Sequence, residues 1–159
     1  MSELTTCLWF DREGEEAARF YVEVFPNSSL NGVTPYPEGG DRAGEAMTVD
    51  FVIDGQKFVA LNGGPQYHFT EAISFQIPCV DQDEVDRYWD ALTADGGEEG
   101  PCGWLKDKFG VSWQVVPNRL SELLSSSEPG VAQRVAEAMF AMKKIVIADL
   151  ETAAEKQPA

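Results

Sequence analysis

The stretch Asp81-Gln82-Asp83-Glu84-Val85-Asp86-Arg87-Tyr88-Trp89-Asp90-Ala91-Leu92 decides the fold once it is set beside Glu15-Glu16-Ala17-Ala18-Arg19-Phe20-Tyr21-Val22-Glu23-Val24. Apolar residues fall at 85, 88, 89 and 92 in one and at 17, 20, 21 and 24 in the other. Both stripes follow the i, i+3, i+4, i+7 spacing of an amphipathic helix. Acidic residues crowd each first turn, where the helix dipole favours them. Gly96-Gly97 ends the helix expected over 81–94, and Pro26-Asn27-Ser28 ends the earlier one.

The flanks of the two helices also match. Leu4 to Phe10 reads as a strand before the first helix. Leu30 to Tyr36, Met47 to Ile53 and Lys57 to Leu61 read as strands after it, the last two joined by the hairpin turn Asp54-Gly55. Around the second helix, Ala72 to Pro78, Gly103 to Lys106 and Ser112 to Val116 read as strands, with Asp107 to Gly110 as a turn. The spacing predicts an internal duplication of a βαβββ module. Beyond Pro117 the pattern turns helical, with a short helix at Leu120–Leu124 and a stripe at Val131, Val135, Ala138, Met139 and Met142. A last helix is expected around Asp149 to Glu155. The expected class is α+β: two βαβββ modules at 1–65 and 70–117 and a helical extension at 118–159, one domain overall.

Composition narrows the function classes. Over 159 residues, 12 Lys+Arg face 27 Asp+Glu, a formal charge of −15. That balance excludes nucleic acid as a partner, because such affinity rests on cations that neutralise phosphates. It also speaks against docking on anionic lipid. A hydrophobic content of 43% excludes a disordered chain. The longest aliphatic run, Ile145-Val146-Ile147-Ala148, is far short of the ~20 residues that span a bilayer. No basic, apolar leader opens the sequence, and Cys7, Cys79 and Cys102 make an odd set without metal-site spacing. A cytoplasmic protein is expected.

The quoted strings point to a family. Cys7-Leu8-Trp9-Phe10-Asp11, Glu15 to Tyr21 and Phe25-Pro26-Asn27-Ser28 resemble the opening of the PhnB-like branch of the glyoxalase/bleomycin resistance/dioxygenase (vicinal oxygen chelate) superfamily. Leu61-Asn62-Gly63-Gly64-Pro65 resembles its module junction. Glu71 to Gln76, Asp86-Arg87-Tyr88-Trp89 and Cys102 to Gln114 complete the likeness. This branch is often labelled 3-demethylubiquinone-9 3-methyltransferase-like. The resemblance implies curved mixed sheets and a homodimer. It departs at Val146, where the branch usually has an Asp that starts the final helix.

The resemblance also implies where chemistry would sit. Metal-dependent members hold a divalent ion with four His or Glu ligands, one on the first and last strand of each module. Carried over, those positions become Thr5, Ala60 or Asn62, Ala72 and Gln114, which offer a hydroxyl, an amide or a methyl. No metal and no cofactor are expected from such a set. His68 lies in the linker Pro65 to Phe69, outside the cup, and Glu71 sits at its rim. Cys7 shares strand parity with Thr5 and Trp9, but no base is placed to activate it. A buried, inert thiol is the expectation for it. Gly39 to Gly44 is glycine-rich yet joins two strands, unlike a loop that feeds a helix and cradles a nucleotide.

What remains is a concave sheet lined by Thr5, Cys7, Trp9, Asn62, Gln76, Trp104, Ser112 and Gln114, suited to a small, partly planar organic molecule. Catalytic residues are not assigned. Two other readings stay open: a metal-dependent lyase, isomerase or dioxygenase with atypical ligands, and the methyl transfer implied by the family label. A sequestering module akin to drug-binding resistance proteins needs no catalytic group and fits the missing ligands.

Overall fold

The structure, a computed structural model, describes residues 3–155. The chain divides into two compact units between Phe69 and Thr70. In the first unit, β1 (Thr6–Phe10), α1 (Gly14–Val24), β2 (Ser29–Pro35), β3 (Ala46–Ile53) and β4 (Gln56–Asn62) build a four-stranded sheet in the order β1-β4-β3-β2. β1 runs parallel to β4, and the other pairs are antiparallel. In the second unit, β5 (Phe75–Cys79), α2 (Gln82–Thr93), β6 (Glu98–Glu99), β7 (Trp104–Lys106) and β8 (Ser112–Pro117) repeat that order as β5-β8-β7-β6. The parallel pair is again first strand with last. The same βαβββ module therefore occurs twice.

Each helix covers one face of its sheet. Val85, Tyr88, Trp89 and Leu92 of α2 are buried, the four positions of the expected stripe. In α1 the buried set is Gly14, Ala17, Ala18 and Tyr21, with Phe20 and Val24 only half-buried at its margins. Tyr21 lies over Phe51 with ring centroids 6.3 Å apart, and Phe51 stacks on Phe58 at 5.4 Å. Asp81 caps α2 by accepting from the Glu84 backbone N–H at 2.9 Å, while Glu84 accepts from Val80 N–H at 2.9 Å. The hairpin turn forms as expected: Asp54 and Gly55 both take left-handed backbone, φ 45° and 78°.

Three sequence expectations shift. Thr5 lies ahead of β1, and Ala72 lies in a turn ahead of β5, so neither is a strand residue. Strand β6 was not foreseen; its two glutamates pair only with Lys106 and Leu105. The final helix, α5 (Ile147–Glu155), starts two residues earlier than expected, and Gln82 Oε1 accepts from Ile147 N–H at 2.9 Å at its start. A distant amide thus takes up one of the donors a helix start leaves open, in place of the missing Asp at Val146.

The C-terminal helices α3 (Asn118–Leu124), α4 (Val131–Phe140) and α5 belong to the second unit. They enclose a core of Leu120, Leu123, Val131, Val135, Ile145 and Leu150. The chain before α5 also holds the tight turn leading into β7. Cys102 N–H donates to Met142 C=O and Gly103 N–H to Lys143 C=O, both at 2.8 Å. Cys102 and Gly103 sit at φ 56° and 83°, and a Cβ on Gly103 would lie 2.8 Å from the Val115 carbonyl oxygen. Glycine is required there. No helix among the described residues is long and apolar enough to cross a membrane.

Candidate binding site

Strand alternation and register assign the side chains to faces. On β8, Trp113, Val115 and Pro117 are buried on the helix side, which leaves Ser112, Gln114 and Val116 on the other face. On β7, Leu105 is buried against the helix and Trp104 and Lys106 point the other way. Register sets Trp104, Gln114 and Gln76 in one row and Glu98, Lys106 and Ser112 in the next. The structure therefore brings Gln76, Trp104, Ser112 and Gln114 together on one face of the second sheet.

A cleft of about 440 Å³ opens on this unit, lined by Glu71, Glu98, Pro101, Trp104, Lys106 and Ser112 among others. That is the size range of a small-molecule site. Lys106 Nζ contacts Glu71 Oε1 at 2.5 Å. This hydrogen bond raises the lysine above its ordinary range and lowers the glutamate below its own. Gln76 Nε2 donates to Gln114 Oε1 at 3.3 Å, and Gln114 Nε2 donates to Ser74 Oγ at 2.8 Å, so the amides already serve one another. Ser112 is 2% exposed, and its Oγ has no hydrogen-bond partner among the described residues. A buried hydroxyl left this way costs about 1–3 kcal/mol until something satisfies it.

The four tryptophans separate by the fate of the indole N–H. Trp9 donates to Gly64 C=O, Trp89 to Glu99 Oε1 and Trp113 to Asp107 Oδ2, each at 2.8 Å. Trp104, half-buried at the cleft wall, has no such partner among the described residues. Its ring is uncommitted.

In the first unit, Leu8 and Phe10 are buried on the helix side, and Cys7 and Trp9 point away from it. Trp9 is nevertheless occupied. A Cβ on Gly63 would fall 2.3 Å from its ring, and Tyr67 meets it edge-on at 5.0 Å. Thr5 is exposed outside the strand. Asn62 does not line this face. It is 3% exposed on the helix side, where Oδ1 accepts from Gly14 N–H at 2.8 Å and Nδ2 donates to Ala46 C=O at 3.0 Å. Both ends of its amide are consumed by the fold.

Cys7 and Cys79 show no activation. Cys7 is exposed, against the expectation of a buried thiol, yet desolvation still pushes its thiol up. Cys79 is buried and pushed up to about 12 by desolvation. Nucleophilic cysteines carry the opposite shift.

The residues do not fit the superfamily's divalent ion. Ala60 is 1% exposed on the helix side, Asn62 is committed, Ala72 lies in a turn and Gln114 offers a neutral amide already bonded. His68 is exposed in the segment after β4. Among the described residues no three His, Cys, Asp or Glu side chains gather into a metal-holding group. Hard divalent ions want several carboxylate or imidazole donors.

Sequence reading missed Lys106, Glu98 and Pro101 as lining. Lys106 was accessible by parity, being two residues from Trp104, whereas Glu98 needed β6 to be known.

Comparison with known proteins accords with this architecture. The family model for 3-demethylubiquinone-9 3-methyltransferase matches residues 2–116. Among solved structures, a PhnB protein from Bacillus cereus is 29% identical with a TM-score of 0.65, covering 73% of this chain and 99% of its own. A Pseudomonas aeruginosa protein, 21% identical, reaches a TM-score of 0.61 over 74% of this chain and 98% of its own. The fosfomycin resistance protein FosX from Listeria monocytogenes, crystallised with Mn(II) and 1S,2S-dihydroxypropylphosphonic acid, shares the fold at 18% identity and a TM-score of 0.51. It covers 73% of this chain and 92% of its own. No curated protein matches. The chain belongs to the 3-demethylubiquinone-9 3-methyltransferase-like, PhnB-like family of the glyoxalase/vicinal oxygen chelate superfamily.

Proposed function

We propose that this protein binds a small organic molecule in the cleft of its second unit without a metal ion. One observation carries the reading: Trp104, whose indole is uncommitted among the described residues, walls a cleft that Ser112, with its buried hydroxyl, also lines. A flat apolar wall beside a few polar groups suits a partly planar ligand. The missing carboxylate and imidazole ligands favour binding over a metal-dependent lyase, isomerase or dioxygenase. Methyl transfer, which the family description names, finds no support in Gly39 to Gly44, since this run joins β2 to β3 and leads into no helix.

The test is a ligand panel of aromatic and quinone-like compounds followed by the four indole N–H signals in an NMR spectrum of the labelled protein. The Trp104 signal should shift while that of Trp113, bonded to Asp107 away from the cleft lining, stays. Trp104→Leu should weaken the strongest binder about tenfold or more, as loss of an aromatic anchor does. A panel that moves no indole signal, or moves only those outside the cleft, contradicts the reading.

A homodimer in the cytoplasm belongs to the same proposal. The edge strand β2, exposed or half-exposed at every residue, supports pairing, because bare edges recruit partners. Three cysteines without a disulfide support a reducing compartment. Sedimentation equilibrium should return twice the 17.5 kDa chain mass, and a monomer at micromolar concentration would refute the pairing.

A further inference from the structure

We propose that the ligand of this cleft is an organic cation: a protonated amine on a flat body, with a second polar group at its far end. The inference rests on the binding site proposed above and names the chemistry it selects.

The fold already uses most of the charged groups at the cleft. Around the cleft, Glu71, Glu98 and Glu99 stand against Lys106 and Lys143. Lys106 is held by Glu71. Glu99 accepts from Trp89 and faces Lys143 at 3.7 Å. Glu98 is exposed, and its carboxylate has no hydrogen bond or ion pair among the described residues and meets the Lys106 ammonium only through the longer-range attraction across β6 and β7. The surplus charge of the cleft is therefore one carboxylate, in a chain whose net charge is −15. Both the local and the overall field favour a cation.

Three uncommitted groups remain: the Glu98 carboxylate, the Trp104 ring and the Ser112 hydroxyl. Each suits part of such a molecule. A carboxylate pairs with an ammonium, and an indole face attracts a cation within about 6 Å of its centroid. A hydroxyl both donates to and accepts from a polar substituent. Their order in the sheet sets the length. Glu98 on β6, Lys106 on β7 and Ser112 on β8 are successive neighbours in one row, so Glu98 and Ser112 stand two strand spacings, roughly 10 Å, apart. Trp104 sits one row over on the middle strand. An ammonium at Glu98 and a hydroxyl or carbonyl at Ser112 would thus be joined by a body lying on Trp104. Ser112 Oγ is buried, so its engagement requires a neighbouring side chain to lean away.

The experiment compares three probes of one shape: tyramine, a cation; tyrosol, its neutral alcohol; and 4-hydroxyphenylacetate, an anion. Binding is read at the Trp104 indole signal and by calorimetry, on the wild-type protein and on Glu98→Gln and Ser112→Ala. Tyramine should bind at least about tenfold more tightly than tyrosol, and raised salt should narrow the gap. E98Q should remove most of the preference, weakening tyramine far more than tyrosol. S112A should weaken tyramine more than it weakens 2-phenylethylamine, which lacks the distal hydroxyl. Tyrosol or the anion binding as tightly as tyramine, or an unaltered preference in E98Q, overturns the cation assignment while the site itself stands. Silence of all three probes at Trp104 up to several millimolar also overturns it. The site reading is judged separately, by the wider panel. Glu98 is exposed at a sheet edge, so its substitution spares the fold and the comparison stays readable.

Discussion

Asp107→Ala should destabilise the second unit by about 3–5 kcal/mol, the cost of emptying a buried, multiply bonded charged site. The residue is 3% exposed in the turn between β7 and β8. Oδ1 accepts from the backbone N–H of Phe109 at 2.9 Å and of Val111 at 3.0 Å, and Oδ2 accepts from Trp113 Nε1 at 2.8 Å. Three donors compensate the burial of the carboxylate, and charge-assisted bonds of this kind are the strong ones. Alanine would strand all three. Asp107→Asn keeps one acceptor oxygen but turns an NH2 toward a donor, so its cost should be intermediate. Urea denaturation followed by tryptophan fluorescence gives both numbers. A loss below about 1 kcal/mol for the alanine variant would contradict the account, since even one abandoned buried donor costs that much. The same turn fixes the register that puts Lys106 opposite Ser112, so the variant should also broaden the Trp104 signal at temperatures where the protein remains folded.

Asn62→Leu should cost the first unit about 2–4 kcal/mol, from one buried and one half-buried backbone group left unpaired. Leucine matches the volume and preserves burial, so the loss isolates the amide. Gly14 opens α1 without a side-chain cap from Glu13. Its N–H instead finds Oδ1 of a residue on β4, and the Ala46 carbonyl at the start of β3 takes the other end of the amide. One side chain thus ties a helix start to two strands. Gly14 must be glycine for the same reason: a Cβ there would lie 2.6 Å from Asn62 Oδ1. Thermal unfolding of N62L and of Gly14→Ala should show both destabilised. The double variant should lose less than the sum, because each breaks the same contact. Full additivity would refute the shared-contact account.

These two residues mark where sequence reading succeeds and fails. The α2 stripe and the Asp54-Gly55 turn were legible because their signal is local: helical periodicity in one, left-handed preference in the other. Asn62 falls on the helix face, which the sequence hides because Phe58-Val59-Ala60-Leu61 is apolar throughout and so lacks the alternation that reveals a strand's faces. Ala72 lies outside β5 because a parallel strand extends only as far as its partner. β5 starts at Phe75, opposite Trp113, next to the first residue of β8. Glu98-Glu99 carries no strand propensity and becomes β6 only through pairing with β7. On the open face of the second sheet, Trp104, Ser112, Gln114 and Gln76 were readable by parity, and the first two line the cleft. What no string could show was which of their polar groups the fold would leave idle.

The turn carrying Cys102 and Gly103 is fastened to the chain just ahead of α5, and Trp104 follows it directly. The helical tail is therefore a splint for the cleft wall. Damage to the tail, whether by proteolysis, a bulky fusion or a substitution in its core, would reach the aromatic wall first. Such a molecule would keep its sheets and lose its grip, a defect that a melting curve alone would overlook.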